Sequence, residues 1–126
     1  MILLDSNILI YSFQPQYAFL KDLIFDRDIF AAISAITILE TIGYHNISEE
    51  EELYYKKAIQ WMYIYNIDEN IIEFATSLKK QKKMSIADAM IAATAMLNNH
   101  ILYTRNTNDF KHIPNLQIIN PIDNNE

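Results

Sequence analysis

The sequence predicts an α/β fold, a three-layer α/β/α sandwich around a central parallel sheet of four to five strands. Three observations carry that expectation. Short apolar runs alternate with helical stretches along the whole chain. Strands separated in this way pair in parallel through right-handed crossovers. The chain has 126 residues, 51% hydrophobic and 21% charged, enough for one domain over 1–126 with a substantial buried core and too apolar for general disorder.

Each element has its own local reason. Ile2–Leu4 is a short apolar strand, followed by a helix from about Asn7 and a second around Tyr17–Phe25. Ile29–Ile33 reads as the next strand and ends at Ser34, a favourable N-cap for a helix over Ala35–Tyr44. Ser48 and Glu51 have capping-box spacing and open a helix to about Met62. Tyr63–Ile67 reads as a strand, after which Asp68 caps a helix to about Lys82. Ser85 caps Ile86–Asn98, and Ile101–Tyr103 and Gln117–Ile119 complete the sheet. With one glycine in the chain, Gly43, asparagines such as Asn98 and Asn99 must serve as turn and helix-end residues.

Composition removes whole classes of chemistry. There is no cysteine, hence no disulfide, thiolate catalysis or cysteine-ligated zinc. One glycine excludes the Gly-rich phosphate loops. The longest charge-free stretch, Ala89 to Thr104, is short and interrupted by Asn98, Asn99 and His100, so no membrane span is expected. The start MILLDSN lacks the pattern of a secretory signal, and a cytoplasmic protein is expected. Net charge is −6, yet residues 76–111 hold six of the ten basic side chains and two of the sixteen acidic ones. Lys79, Lys80, Lys82 and Lys83 therefore form either a local basic face or a solvated helix end.

In parallel α/β sheets, ligands bind at the carboxyl ends of the strands. Four carboxylates fall there or close by. Asp5 follows the first strand, where it also reads as a helix cap. Asp88 lies in the first turn of a helix whose other residues are apolar except Thr94; that pattern marks a buried helix, and Asp88 also fits a capping box with Ser85. Glu40 belongs to a polar stripe with Thr37, Thr41 and Tyr44, opposite Ile36, Leu39 and Ile42, or else to a solvated face. Asp109 ends the loop after Ile101–Tyr103 and also fits an Asx-turn. Carboxylates sharing one pocket cannot all stay ionised without a counter-charge. Hard oxygen ligands select magnesium or manganese. His45, His100 and His112 show no ligand spacing and read as surface residues.

The segments ILLDSNILIY, ISAITILETIGY, SIADAMIAATAMLNNHILYTRNTNDF and IPNLQIINP, in that order, resemble the PIN domain in its VapC-type toxin branch. The most specific stretch runs from Ser85 to Phe110. The resemblance implies a magnesium- or manganese-dependent endoribonuclease, the toxin of a toxin–antitoxin pair, with Asp5, Glu40, Asp88 and Asp109 as its acidic quartet. It implies a polar surround of Ser6, Asn7, Thr104 and Asn106, a cognate antitoxin and a homodimer. Asp5 and Asp88 are then the principal ligands, with Glu40 and Asp109 completing the site. Arg105 and Lys79, Lys80, Lys82 and Lys83 are expected to contact RNA phosphates, which position a strand without reading its sequence. Single-stranded or loop RNA is the expected target.

Two other readings compete. A receiver-like or phosphatase-like domain also pairs carboxylates with magnesium, but Asn7 stands where its second acid belongs. A non-catalytic PIN-like module binding RNA or protein is the remaining alternative, and loss of a quartet residue would mark it; none is lost. Five aromatics, Tyr54, Tyr55, Trp61, Tyr63 and Tyr65, crowd into one short segment. They cannot all face a single core, so some should lie at the surface and serve an interface.

Overall fold

The computed structural model describes residues 1–123. Five parallel strands run in the order β3-β2-β1-β4-β5: β1 (Ile2–Leu4), β2 (Ala31–Ser34), β3 (Tyr63–Tyr65), β4 (Ile101–Tyr103) and β5 (Ile118–Ile119). The helices are α1 (Ser6–Ser12), α2 (Lys21–Phe25), α3 (Ala35–Thr41), α4 (Glu49–Gln60), α5 (Glu69–Gln81) and α6 (Ile86–Leu97). Alternation along the central strands sorts side chains into two cores, one on each face of the sheet. Leu3, Ala32 and Leu102 pack against α5 and α6, while Ile2, Leu4, Ala31 and Ile33 pack against α1, α2 and α4. This is the expected three-layer α/β/α arrangement. Among the described residues, no helix is long and apolar enough to cross a membrane.

The predicted caps form as read. Ser34, Ser48, Asp68 and Ser85 each accept a backbone N–H in the first turn of the helix they open, and Glu51 completes the Ser48 capping box. Boundaries shift where local geometry intervenes. Pro15 starts a 3-10 segment, Pro15–Leu20, so the α-helix predicted from Tyr17 begins only at Lys21. The second strand starts at Ala31, because Phe30 has a left-handed backbone with φ 51°. Asn99 and Asn115 are also left-handed, the role expected of asparagine in a glycine-poor chain. Gly43 is required where it stands, since a Cβ there would lie 2.4 Å from the Leu39 carbonyl oxygen.

β1 is central, with β2 on one side and β4 on the other. Strand order reverses at β1, so its carboxyl end opens onto the crevice where parallel sheets bind ligands. Helix α6 delivers its N-terminus to the same crest. Its alanines at 89, 92, 93 and 95 are fully buried, and small side chains let it sit close to the sheet and α5.

Candidate active site

Asp5 organises the crest. It caps α1, with Oδ1 accepting from the Ser6 N–H at 2.7 Å. Oδ2 accepts from the Thr104 hydroxyl at 2.8 Å and from the Asn7 amide at 3.2 Å. Thr104 also accepts the Asn106 N–H at 3.1 Å, and Asn7 Oδ1 accepts the Arg105 N–H at 3.3 Å. The predicted polar surround of Ser6, Asn7, Thr104 and Asn106 thus forms one connected network that fixes the carboxylate between β1 and β4.

These donors are neutral. Asp5 is 6% exposed, and burial, helped by the charges of Asp88 and Glu40, pushes its carboxyl up to about 6 against the lowering effect of Thr104 and Ser6. Asp88 is half-buried. Its pKa is raised above the ordinary carboxylate range, first by burial and then by Asp109 and Glu40, while the Ser85 hydrogen bond opposes. Asp5 therefore feels Asp88 and Glu40 across the crest, and Asp88 feels Asp109 and Glu40. Among the described residues, no three histidine, aspartate or glutamate side chains stand close enough to enclose a metal ion.

Glu40 reaches Asp5's neighbour. The Ser6 hydroxyl donates to Glu40 Oε1 at 2.6 Å and lies 2.9 Å from Thr37 Oγ1. The polar stripe of α3 is split by this contact: Thr37 and Thr41 are buried, Glu40 stands at the crest, and Leu39 is left 66% exposed. Asp109 ends an exposed 3-10 turn, Thr107–Asp109, that Asn106 begins. A cavity of about 340 Å³ brings Asp88 and Asp109 together with Lys82, Lys83 and His112. A larger one, about 710 Å³, lies elsewhere, between β3 and the start of α5, without any of the quartet.

The basic residues divide. Lys82 and Lys83 border the Asp88–Asp109 cavity. Lys79 instead donates from Nζ to the Met84 carbonyl at 2.7 Å and ties the α5–α6 turn, and Lys80 is exposed on the last turn of α5. Arg105 lies over the Tyr11 ring at 4.9 Å and the Tyr17 ring at 5.7 Å, and donates to the Tyr17 hydroxyl at 3.2 Å. Its backbone N–H binds α1 at Asn7, and its side chain ties Tyr11 of α1 and Tyr17 beyond it to the crest.

The histidine expectation holds for His45, which is exposed, and is corrected for His100 and His112. His100 is buried and pairs through Nε2 with the Tyr65 hydroxyl at 2.7 Å. Its place just after α6 and before β4 brings the ring onto Tyr65 of β3, a tertiary contact invisible to ligand-spacing arguments. His112 is half-buried, with Nε2 enclosed. Of the five clustered aromatics, Tyr55 belongs to the core at 2% exposure, whereas Trp61 and Tyr63 are exposed. Tyr11, Tyr17 and Thr37 were not singled out as crest-supporting groups; only the helical spacing of Thr37 with Glu40 hinted at its role.

The fold and its acidic crest define a parallel α/β domain with a carboxylate-lined ligand site at the strand ends. The chain belongs to the PIN domain family, whose model matches residues 2–116. Among solved structures it is similar to a toxin–antitoxin complex from Klebsiella pneumoniae, at 34% identity and TM-score 0.78 over 96% of this chain and 98% of that one. It is also similar to FitAcB from Neisseria gonorrhoeae, at 26% identity and TM-score 0.74 over 97% and 99% of the two chains. A VapBC complex from nontypeable Haemophilus influenzae follows at 26% identity and TM-score 0.71, over 95% and 98%. The VapC-type resemblance read from the sequence thus agrees with the structural relatives. Comparison with curated proteins finds no match.

Proposed function

We propose that the chain is the ribonuclease toxin of a toxin–antitoxin pair and that Asp5, Asp88, Glu40 and Asp109 hold a magnesium or manganese ion. The observation that carries this reading is the placement of Asp5, a buried carboxylate at the carboxyl end of β1 held by the Ser6 N–H, Asn7 and Thr104. Glu40 sits on the Ser6 hydroxyl beside it, and Asp88 and Glu40 are its charged influences. A hard cation supplies the missing counter-charge. The donor set fits such an ion, since it is all oxygen. Among the described residues no three acids enclose a metal as they stand, and Asp5 and Asp88 would anchor the ion. Glu40 and Asp109 would complete its oxygen donor set.

When bound, the ion supplies Lewis acidity toward a phosphodiester and lowers the pKa of water. The chain's own residues do the rest. Thr104, Asn7 and the Ser6 N–H hold the Asp5 carboxylate in a single orientation. The Ser6 hydroxyl fixes Glu40. Lys82 and Lys83 attract the RNA backbone to the cavity of Asp88 and Asp109, and Arg105 steadies the segment before α2 beside it. Single-stranded or loop RNA suits an open crest.

A similar solved structure is a toxin–antitoxin complex, which supports a protein antitoxin as the second partner; a homodimer in the cytoplasm completes the reading. The test is cleavage of single-stranded RNA with magnesium, with chelator, and by Asp5→Asn and Asp88→Asn. Activity that survives chelation, or persists at wild-type rate in either variant, overturns the assignment.

A further inference from the structure

A second cavity, of about 270 Å³, opens on the other flank of Glu40, between α1, α3 and α4. It is lined by Ile10, Glu40, Thr41, Tyr44, Glu51 and Tyr55. Its character is unlike that of the Asp88–Asp109 cavity, since the lining has two carboxylates, two tyrosines and no lysine or arginine. Glu51 is held in place from both sides. Oε1 accepts the Ser48 N–H at 3.3 Å, and Oε2 accepts the Tyr55 hydroxyl at 3.4 Å. Burial pushes the Tyr55 hydroxyl up to about 12, so it stays a donor at neutral pH. Each Glu51 oxygen keeps a further acceptor site. Tyr44 is 52% exposed at the rim, where its ring offers a stacking face.

A phosphate is repelled by this lining, and what enters must bring N–H donors. A planar ring bearing two adjacent donors fits best, because a carboxylate accepts such a pair in bidentate fashion and the tyrosine stacks on its face. Among the RNA bases only guanine has two neighbouring N–H groups on its Watson–Crick edge. The crest is therefore polarised: lysines for the backbone on the Asp88 side, glutamates for a base on the Glu40 side. Glu40 lines this cavity and its charge also acts on Asp5 and Asp88, which places the cavity one side chain from the reacting centre.

We propose that this cavity is a guanine subsite for the nucleotide adjoining the scissile phosphate, with Glu51 reading the base edge and Tyr44 stacking on it. The proposal rests on the ribonuclease reading above. It makes Glu51 a specificity-determining residue rather than only a helix cap.

The test uses oligoribonucleotides that differ only in carrying guanosine or inosine, which lacks the 2-amino group, beside the cleaved bond. The wild-type chain is expected to lose at least about tenfold in kcat/KM on inosine, the value of one hydrogen bond to a charged group. Glu51→Gln preserves the capping box, since glutamine also fills that position, and is expected to bring the guanosine-to-inosine ratio towards one. Tyr44→Ala is expected to raise KM. Equal cleavage of the two substrates, or a full preference retained in Glu51→Gln, overturns the subsite. So does a Glu51→Gln that weakens antitoxin binding while leaving the base preference intact, which makes the cavity a protein contact. A second measurement does not depend on turnover. In the Asp5→Asn variant, the dinucleotide GpA is expected to shift the amide resonances of Tyr44, Glu51 and Tyr55 more than its inosine counterpart. Absence of those shifts overturns the subsite. If the wild type cleaves no RNA, the ribonuclease reading falls and the amide shifts alone decide whether guanine binds.

Discussion

The Thr104 hydroxyl donates to Asp5 Oδ2 at 2.8 Å, joining the carboxyl ends of β4 and β1 across 99 positions of sequence. Both residues are buried, so this bond is shielded from water and acts on the electrostatics of the crest. It holds the Asp5 carboxyl below where burial alone would place it. Thr104→Val keeps the shape and removes the donor. Asp5 should then titrate at higher pH, and the fold should lose on the order of 1–3 kcal/mol, the range for a buried hydrogen bond to a charged group. Carboxyl resonances followed by NMR titration, together with thermal melts, check both outcomes. An unmoved Asp5 titration refutes the role given to Thr104.

The pH dependence of Asp5 has a definite sign. Its carboxyl titrates near 6 in the folded chain against 3.8 ordinarily, so the folded state binds the proton more tightly. Stability contributed by this group is present at low pH and is lost as pH rises from about 4 to about 6. The shift corresponds to about 3 kcal/mol, an upper figure because neighbouring residues relax. Without metal, Asp5→Asn should gain on the wild type over that window and stay ahead at pH 7.5. Magnesium should reverse the order by stabilising only the wild type. Denaturant melts at pH 4 and 7.5, with and without magnesium, measure this; a stability difference that does not vary with pH counts against it.

Much of this crest was legible in the residues themselves. Asp5, Ser34, Asp68 and Ser85 are local signals, a polar residue where an apolar strand stops or a helix starts, and local signals survive folding. The burial of α6 was equally plain from its composition. What escaped was tertiary. No spacing rule brings Tyr11 and Tyr17 of the first helices around Arg105, or His100 onto Tyr65. The α3 stripe was read as polar against apolar, yet Leu39 is exposed and Thr37 is buried, because the crest network outcompetes simple amphipathicity there.

The lysine run should separate into two functions. Lys82 and Lys83 border the acidic cavity, so Lys82→Gln with Lys83→Gln should flatten the slope of log affinity against log salt by about 1.4 for single-stranded RNA. Lys79→Gln should instead cost stability, since Nζ is bonded to the Met84 carbonyl. Filter binding over a salt series distinguishes them. Equal slopes for the double variant and the wild type return the run to a solvated helix end.

Arg105 offers a cleaner distinction between charge and shape. Arg105→Lys keeps the charge but not the planar group stacked on Tyr11 and Tyr17. If its role is to hold the α1–α2 segment, the salt slope should stay constant while stability falls by about 1 kcal/mol. A changed slope with an unchanged melting temperature would make it a phosphate contact instead.

Self-association provides the last test, and the structure redirects it. Tyr55 is a core residue at 2% exposure; Tyr55→Ala should cost roughly 3–5 kcal/mol as a cavity and says nothing about an interface. Phe30, Trp61 and Tyr63 are among the exposed aromatics. Phe30, Trp61 and Arg27 line one shallow cavity, and Arg27 lies 4.8 Å over the Trp61 ring. Phe30 also keeps a left-handed backbone, with φ 51°; a bulky residue there is an outlier. Aromatic and arginine side chains so placed resemble the anchors of protein interfaces. Under the proposed dimer, Trp61→Ala with Tyr63→Ala should shift sedimentation at micromolar concentration from dimer to monomer while the thermal melt changes little. A wild-type chain that sediments as a monomer refutes the dimer, and a dimer that survives the double substitution places its interface on another face.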